Sequence, residues 1–306
     1  MTEVRLRLGT RQSPLAVVQA EEARSLLCAA HGWPESAVEL VKVRASGDKI
    51  QDRPLADIGG KALWTRELDI WLAEGKIDAA VHSMKDVETL RPASLAIAAI
   101  LPREDVRDVL IGAKSIRAIP TGAKIGTSAP RRAAQMLHHR PDCEIISFRG
   151  NVATRLAKLA SGEADVTLLA AAGLNRTDRQ DTGTALEADH WLPAPAQGAI
   201  GIECNAADAD TCALIAAIDH GPSRLSVMAE RALLEGLGGT CHSPIGALSV
   251  LDGDQLTLRA AIFSADGALR VEGSISANAS DLVGFRQWGS SLLDGAPDRI
   301  AKLFSA

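Results

Sequence analysis

The feature that most constrains this chain is an alternation that runs through its first two hundred residues: a short apolar run, a polar turn, then a stretch with helical spacing. Val4 to Leu8 reads as a strand, and Gly9-Thr10-Arg11-Gln12 leads into a helix capped by Ser13, with Pro14 in its first turn, running to about Ala30. Val38 to Val43 is a second strand. Trp64 to Ala73 has helical spacing and stops at Gly75, and Ala79 to His82 is a third strand ending in Ser83-Met84-Lys85-Asp86. The same grammar then repeats. Lys124 to Gly126 runs into Thr127-Ser128-Ala129-Pro130 and a helix through His139; Glu144 to Phe148 runs into Arg149-Gly150 and a helix capped by Asn151 that stops at Gly162; Val166 to Ala170 follows. Such alternation predicts an α/β fold with a largely parallel sheet.

From about residue 220 the period changes. A helix from Ser226 to Leu237 leads to period-two segments at Ala247 to Leu251, Leu256 to Ile262 and Leu269 to Ile275. Asp252-Gly253-Asp254 and Ala265-Asp266-Gly267 are hairpin turns between them, so a small antiparallel sheet is expected, covered by helices at Asp281 to Leu293 and Pro297 to Phe304. The stretch from Leu192 to Gly198 breaks all periodicity and reads as a linker or hinge. Three domains are expected.

At 306 residues, 46% of them hydrophobic, the chain can fill that many cores. A net charge of -5 without long runs of like charge argues against a nucleic-acid partner and against disorder. No window reaches eighteen apolar residues, and Met1 to Leu6 shows no basic segment followed by an apolar one, so no membrane partner and a cytoplasmic location are expected. The five cysteines, at 28, 143, 204, 212 and 241, form no CxxC pair, which speaks against a disulfide framework, a zinc ribbon and a bound metal. Cys28, Cys143, Cys204 and Cys212 sit in apolar or helical surroundings and read as small buried hydrophobes.

The placement of the arginines carries the chemistry. Arg11 precedes an N-cap serine, Arg131 and Arg132 fall in a first helical turn, and Arg149 precedes an N-cap asparagine with Arg155 one turn inside. Cations there oppose the helix dipole, so something else must favour them. Helix-start amides with guanidinium forks make anion sites suited to carboxylates or phosphates, and sites at the ends of parallel strands converge on one crevice. The implied ligand is small and carries several negative groups. Gly59-Gly60-Lys61 and Gly126 to Arg132 fail the dinucleotide and P-loop spacings. Solvated surface arginines are the competing reading.

Asp86 follows a strand and should sit at its carboxyl end, either capping a neighbouring loop or stabilising developing positive charge. His82 reads as a structural residue. Cys241, in Gly236-Leu237-Gly238-Gly239-Thr240-Cys241-His242-Ser243-Pro244, lies in a glycine-flanked loop. It could be a nucleophile with His242, a metal ligand with His242 and Asp86, or an inert thiol.

These features recur together in one family. Gly9 to Ala16, Gly59-Gly60-Lys61, His82 to Val87, Gly126-Thr127-Ser128 with Arg131-Arg132, Arg149-Gly150-Asn151-Val152 with Thr154-Arg155, Ala172-Gly173-Leu174 with Arg176, Gln197-Gly198-Ala199 with Gly201-Ile202-Glu203, Glu230-Arg231, and Gly239 to Cys241 with Pro244-Ile245-Gly246 resemble, in order, the porphobilinogen deaminases. The resemblance implies two periplasmic-binding-protein-like α/β domains forming a cleft, plus a small C-terminal α+β domain with a three-stranded antiparallel sheet. The corresponding boundaries are 1–100 with 198–218, 101–197, and 219–306. It further implies a monomeric enzyme that condenses four molecules of porphobilinogen head to tail, with loss of ammonia, on a dipyrromethane cofactor held by a thioether to Cys241, and then releases the linear tetrapyrrole by hydrolysis.

By the same resemblance Asp86 is catalytic, contacting pyrrole N–H groups and stabilising an azafulvenium-type cation. Ser83, Lys85, Asp86, Thr127, Ser128, Arg131, Arg132, Arg149 and Gly150 would hold the cofactor, and Arg11, Ser13, Gln19, Lys61, Arg149, Arg155, Arg176 and Gln197 the substrate, with no metal. Ala129-Pro130, Trp64, Glu88 and Ala196 depart from the family's pattern, where Ser-Leu, Phe, Pro and Gly are usual. A non-catalytic two-lobed carboxylate-binding protein is the rival from another class; a deaminase slowed by these departures is a second.

Overall fold

The computed structural model describes residues 3–43 and 65–304, so Gly59, Gly60, Lys61 and Trp64 lie outside the described residues. The chain divides into two compact units, one made of Met1–Asp52, Gly60–Glu104 and Gly198–Arg224, the other of Arg53–Gly59, Asp105–Gln197 and Leu225–Ala306. Among the described residues no helix is long and apolar enough to cross a membrane.

The first unit is a five-stranded sheet flanked by helices. β1 (Leu6–Arg11) runs into α1 (Pro14–His31), followed by β2 (Val38–Val43), α2 (Arg66–Ala73), β3 (Ala79–Ser83), β4 (Leu95–Ile100), and, far later in the chain, β10 (Ile200–Asn205) and α6 (Ala209–Ala216). The strand order is β2-β1-β3-β10-β4. α1 begins and ends where its residues dictate: the Ser13 side chain accepts from the Ala16 N–H, and Gly32 takes the left-handed conformation at the other end. The central strands are apolar on both faces because helices cover the sheet, and Leu6, Leu8, Val81, Ile200 and Ile202 form the core with Leu27 of α1.

The second unit opens with a sheet of the same plan. β5 (Asp108–Ile111), β6 (Lys124–Gly126), α3 (Pro130–His139), β7 (Glu144–Ile146), α4 (Val152–Ala160), β8 (Val166–Ala170), α5 (Ala171–Asn175) and β9 (Thr184–Ala185) follow in sequence, with strand order β7-β6-β8-β5-β9. In each sheet four strands share one direction and the fourth in spatial order runs against them: β10 between β3 and β4, β5 between β8 and β9. The expectation of a largely parallel sheet is thereby corrected to two mixed sheets. Neither β5 nor β10 is delivered by a helical crossover, the connection that a parallel neighbour requires.

The same unit contains α7 (Gly221–Gly236) from Leu225 on, and the antiparallel sheet β11 (Ile245–Asp252), β12 (Gln255–Phe263) and β13 (Arg270–Asn278), followed by α8 (Leu282–Asp294) and α9 (Asp298–Ala301). The hairpin registers place the inward residues of β12, Leu256, Leu258, Ala260 and Ile262, in one core with Leu233, Phe285 and Phe304. Truncating fully buried Phe285 to Ala would cost on the order of 3–5 kcal/mol. Gly267, at φ +69°, packs its turn onto α3 so closely that an added Cβ would stand 2.4 Å from the Ala134 carbonyl oxygen.

One further expectation changes and another is sharpened. β1 starts two residues later than its apolar run and extends through Arg11, which is therefore the last residue of a strand rather than part of a loop. The segment from Leu192 to Gln197 leads up to the break between the two units at Gln197 and Gly198, as a linker would, but its backbone is firmly bonded. The Leu192 N–H donates to Gln135, Leu192 O accepts from Arg131 and Gln135, Pro193 O accepts from Ala247, and the Ala196 N–H donates to buried Glu230 at 2.6 Å. A proline-rich run lacks donors and periodicity, but its remaining backbone groups still need partners when buried, and side chains supply them.

Candidate active site

In the first unit the sequence-selected residues gather at the carboxyl ends of β1 and β3. Ser13 caps α1, and the fully buried Thr10 hydroxyl donates to Ala16 O at 2.9 Å, fixing the turn that carries Arg11. Gln19 and Ser83 satisfy each other: Gln19 Nε2 donates to Ser83 Oγ at 2.8 Å, and Ser83 Oγ donates to Gln19 Oε1 at 3.0 Å. Met84 to Asp86 form a single 3-10 turn after β3, with Met84 buried as its anchor and Lys85 and Asp86 partly exposed. A carboxylate and a lysine thus stand side by side at a strand end, on a turn held by its apolar neighbour.

A different charged cluster is built on the same sheet, involving His82 next to Ser83 and Glu88 two residues after Asp86. Glu203 of β10, fully buried, accepts from Arg91 Nε at 2.9 Å and Arg91 Nη2 at 2.8 Å. Arg91 also donates to Asp69 and Glu88, and Thr65 donates to Glu88, so the glutamate that departs from the family pattern has a structural use. His82 Nε2 lies 3.1 Å from Glu203 Oε2 but off the line of a hydrogen bond, so the contact is a charge contact at most. Burial alone would raise the Glu203 carboxyl, yet the neighbouring His82 and then the Arg91 fork bring it down to about 2.

In the second unit the residues again collect at strand ends, with a countercharge that sequence reading missed. Asp108, the first residue of β5, is fully buried and accepts from Arg131 Nη1 and Arg132 Nη2, both at 2.7 Å, from Trp191 Nε1 at 2.8 Å and from Gln197 Nε2 at 2.9 Å. Burial opposes its charge, but the two guanidiniums win and hold the carboxyl well below the usual carboxylate range. Burial pulls Arg131 down in turn; a guanidinium nevertheless stays protonated in proteins, so the cluster is one anion between two cations.

This corrects the physical cause assigned to Arg131 and Arg132. The anion that favours cations at the start of α3 is first of all the chain's own Asp108. Arg131 spends its Nη1 on Asp108 and on Leu192 O. Arg132 also donates to Leu168 O, and its Nε is buried without a hydrogen-bond partner among the described residues. Gln197, expected at the substrate, is fully buried and its amide donates inward to Val106 O and Asp108. These bonds brace the cluster.

Around this cluster, Thr127 Oγ1 accepts from the Ala129 N–H at 3.2 Å, and Ala129, the N-cap of α3, supplies no side-chain cap. The Ser128 hydroxyl donates to Phe148 O at 2.7 Å. Arg149 is buried, and Arg155 Nε donates to Gly150 O at 3.0 Å. Gly150 sits at φ +111°, where an added Cβ would stand 2.7 Å from Thr154, so only glycine fits before the Asn151 cap. Arg176 follows α5 as its C-cap. Cys241 is the exposed member of the five cysteines; Cys28, Cys143 and Cys204 are buried and Cys212 is intermediate.

Known proteins share this sequence. Residues 6–213 match the family described as "Porphobilinogen deaminase, dipyromethane cofactor binding domain", and residues 224–287 match "Porphobilinogen deaminase, C-terminal domain". The chain is 54% identical over 306 residues to the porphobilinogen deaminase of Sphingopyxis alaskensis, covering 98% of this chain and 96% of the relative. It is 49% identical over 266 residues to that of Paracoccus denitrificans, with coverage of 86% and 85%. Against the chloroplastic porphobilinogen deaminase of Oryza sativa the identity is 46% over 275 residues, with coverage of 88% and 77%. Among solved structures, the periplasmic VFT2 domain of Bordetella pertussis BvgS is 14% identical with a TM-score of 0.39, covering 69% of this chain and 86% of that one. A periplasmic binding protein of Salmonella typhimurium with high arginine specificity is 12% identical with a TM-score of 0.41, covering 71% and 92%.

Proposed function

The chain belongs to the porphobilinogen deaminase family, and from that premise we propose which of its residues carry the reaction. Its activity is that of a transferase, hydroxymethylbilane synthase: four porphobilinogen molecules are joined head to tail with loss of ammonia on a dipyrromethane cofactor, and the linear tetrapyrrole is released by hydrolysis. The rival reading of a carboxylate-binding protein without chemistry is not favoured by this membership.

Cys241 holds the cofactor, and the observation that carries this assignment is its exposure on a loop while three of the other cysteines are buried. The residues present fit a carboxylated dipyrrole. The second unit supplies Arg149, Arg155 and Arg176, with the buried, unpartnered Nε of Arg132 as an orphan donor of the kind a carboxylate satisfies. When bound, dipyrromethane supplies the pyrrole carbon to which the first substrate unit is joined.

Asp86 accepts pyrrole N–H bonds and stabilises the positive charge that develops on the substrate as ammonia departs, an electrostatic role suited to a carboxylate fixed at a strand end. Lys85 beside it, with Arg11 and, outside the described residues, Lys61, takes acetate and propionate groups. Ser13, Gln19 and Ser83 shape the first unit's ligand face through the bonds they make to one another and to the helix start. Thr127 and Ser128 do the same for the turn before α3, and Arg131 acts through Asp108.

The finer parts of the proposal are a monomer in the cytoplasm, without nucleic-acid or membrane partner, supported by the net charge of -5 and by cysteines with no disulfide among them. Three domains, 1–100 with 198–218, 101–197 and 219–306, are supported by the break between the two family matches at 213 and 224 and by the separate core around Phe285.

Intact mass of the purified active protein tests the anchor. The expected result is the polypeptide plus one dipyrromethane, the adduct on the peptide containing Cys241, and a folded Cys241→Ala variant with neither adduct nor turnover. Active protein with the bare polypeptide mass would overturn the assignment.

A further inference from the structure

Two cysteines that the reaction does not use lie against each other in the first unit. Cys204 is fully buried in β10, Cys212 is partly exposed in α6, and their Sγ atoms stand 2.7 Å apart. Both are set by regular structure. Cys204 is paired in the sheet with Ala79 of β3 and Ala96 of β4. The Cys212 N–H donates to Asp208 O at 3.0 Å, and the Asp208 side chain caps α6 through the Thr211 N–H at 3.0 Å and the Thr211 hydroxyl at 2.7 Å. The short turn from Asn205 to Asp208 thus brings the two sulfurs within reach of each other.

We propose that Cys204 and Cys212 form a redox-active dithiol, a modification site that hydroperoxides oxidise to an intramolecular disulfide. The solvent-reachable Cys212 sulfur attacks the peroxide; the O–O bond breaks, one oxygen stays on sulfur as sulfenic acid, and with hydrogen peroxide the other leaves as water. The Cys204 sulfur then bonds to Cys212 as the S–O bond breaks, and the hydroxyl leaves with the Cys204 proton as a second water. Two electrons pass from the thiols to the peroxide. The order of events follows from the surroundings: burial and the adjacent Cys212 sulfur push Cys204 up to about 12, so it stays a thiol until its partner is oxidised. The bridge would tie α6 to β10 where Cys204 faces Ala79, at the start of β3, whereas Ser83 and the turn bearing Asp86 lie at the other end of that strand. Stability, rather than the chemistry at Asp86, is what the bridge alters.

The test uses holoprotein treated with hydrogen peroxide, blocked with N-ethylmaleimide and cut before aspartate, since Asp208 and Asp210 separate the two cysteines onto different peptides. The expected result is a Cys204–Cys212 cross-linked peptide pair that disappears after dithiothreitol, with a melting temperature a few degrees above that of the reduced protein. In Cys204→Ser the sulfenic acid should persist on Cys212 and react with dimedone, and the melting shift should vanish. If Cys204 and Cys212 are both fully blocked by N-ethylmaleimide after peroxide under denaturing conditions, or if Cys212 of the parent protein proceeds to sulfinic acid with no link to Cys204, the proposal is overturned. The mapping on the parent protein decides this even if the variant does not fold.

Discussion

The two five-stranded sheets each bury one carboxylate on their antiparallel fourth strand, at different points of the register. Glu203 faces Ala80, near the start of β3, while Asp108 faces Ala170, the last residue of β8. Each is fully enclosed and each is clamped by guanidinium groups at hydrogen-bond distance. Replacing such a buried ionic cluster by well-packed apolar residues is often neutral or stabilising, so its presence is poor evidence of a stability device. Their partners separate them. Glu203 and Arg91 tie Asp69 and Glu88 to the sheet, neither of which is proposed to hold the ligand. Asp108 fixes two of the arginines proposed to hold the cofactor, with one negative charge for two positive ones, an excess of one cation.

The largest effect should come from Asp108→Asn. Removing this charge leaves two buried guanidiniums facing each other, a loss of about 3–5 kcal/mol, and misplaces Arg132. Urea unfolding should show the destabilisation, and intact mass should show mostly protein without adduct; a variant that keeps full cofactor loading and turnover within twofold of the parent would erase the distinction between the clusters. Glu203→Gln is expected to cost roughly as much stability, but turnover per folded, cofactor-loaded molecule should stay within about twofold. A tenfold fall in that specific turnover would break the comparison from the other side.

Acid sharpens it further. Both carboxyls are depressed in the folded state, so each contributes stability that is complete above the ordinary carboxylate range and is lost as pH falls towards its folded value. For Glu203, moving from 4.5 to about 2, the contribution is roughly 3 kcal/mol. Melting temperature measured from pH 6 down to 2 should fall steeply below about 4.5, and Glu203→Gln should flatten part of that limb.

The smallest effect concerns Ala196, next to Gln197 of the Asp108 cluster. Its φ of +58° puts a Cβ in the left-handed region, held there by the bond from its N–H to Glu230. Ala196→Gly should raise stability by about 0.5–1 kcal/mol, the relief of strain exceeding the added freedom of the unfolded chain. An unchanged or lower unfolding midpoint would show that the surrounding contacts, rather than tolerance of strain, set this conformation.

What the sequence disclosed follows from the range of each signal. Caps, glycine stops and short apolar runs are local, so α1, α3, α4, β3, β6 and β8 were visible to within a few residues. The antiparallel placement of β5 and β10 was not, because strand direction is fixed by connections and partners distant in the chain. The anomaly of Arg131 and Arg132 at a helix start was visible too, but half of its explanation lay 23 and 24 residues away in Asp108. That aspartate closes the run Arg103-Glu104-Asp105-Val106-Arg107-Asp108, which reads as a solvated loop. Nothing local marks which of its four acidic and basic neighbours turns inward. The burial of the segment around Leu192 was hidden for a related reason: absence of periodicity signals absence of regular structure, not absence of burial.

The placement of β10 sets a timetable for synthesis. β4 ends at residue 100 and its sheet partner among the described residues begins at residue 200, so at ribosomal speeds of about 5–20 residues per second the first sheet waits roughly 5–20 s for completion. The second sheet, contained in residues 108–185, can close during that interval. Until β10 emerges, β3 and β4 each present an unsatisfied, largely apolar edge, the kind of surface that recruits holdases in a cell and aggregates in a refolding tube. The yield of folded protein during synthesis is therefore expected to be limited by the late return of a six-residue strand rather than by the size of its cores.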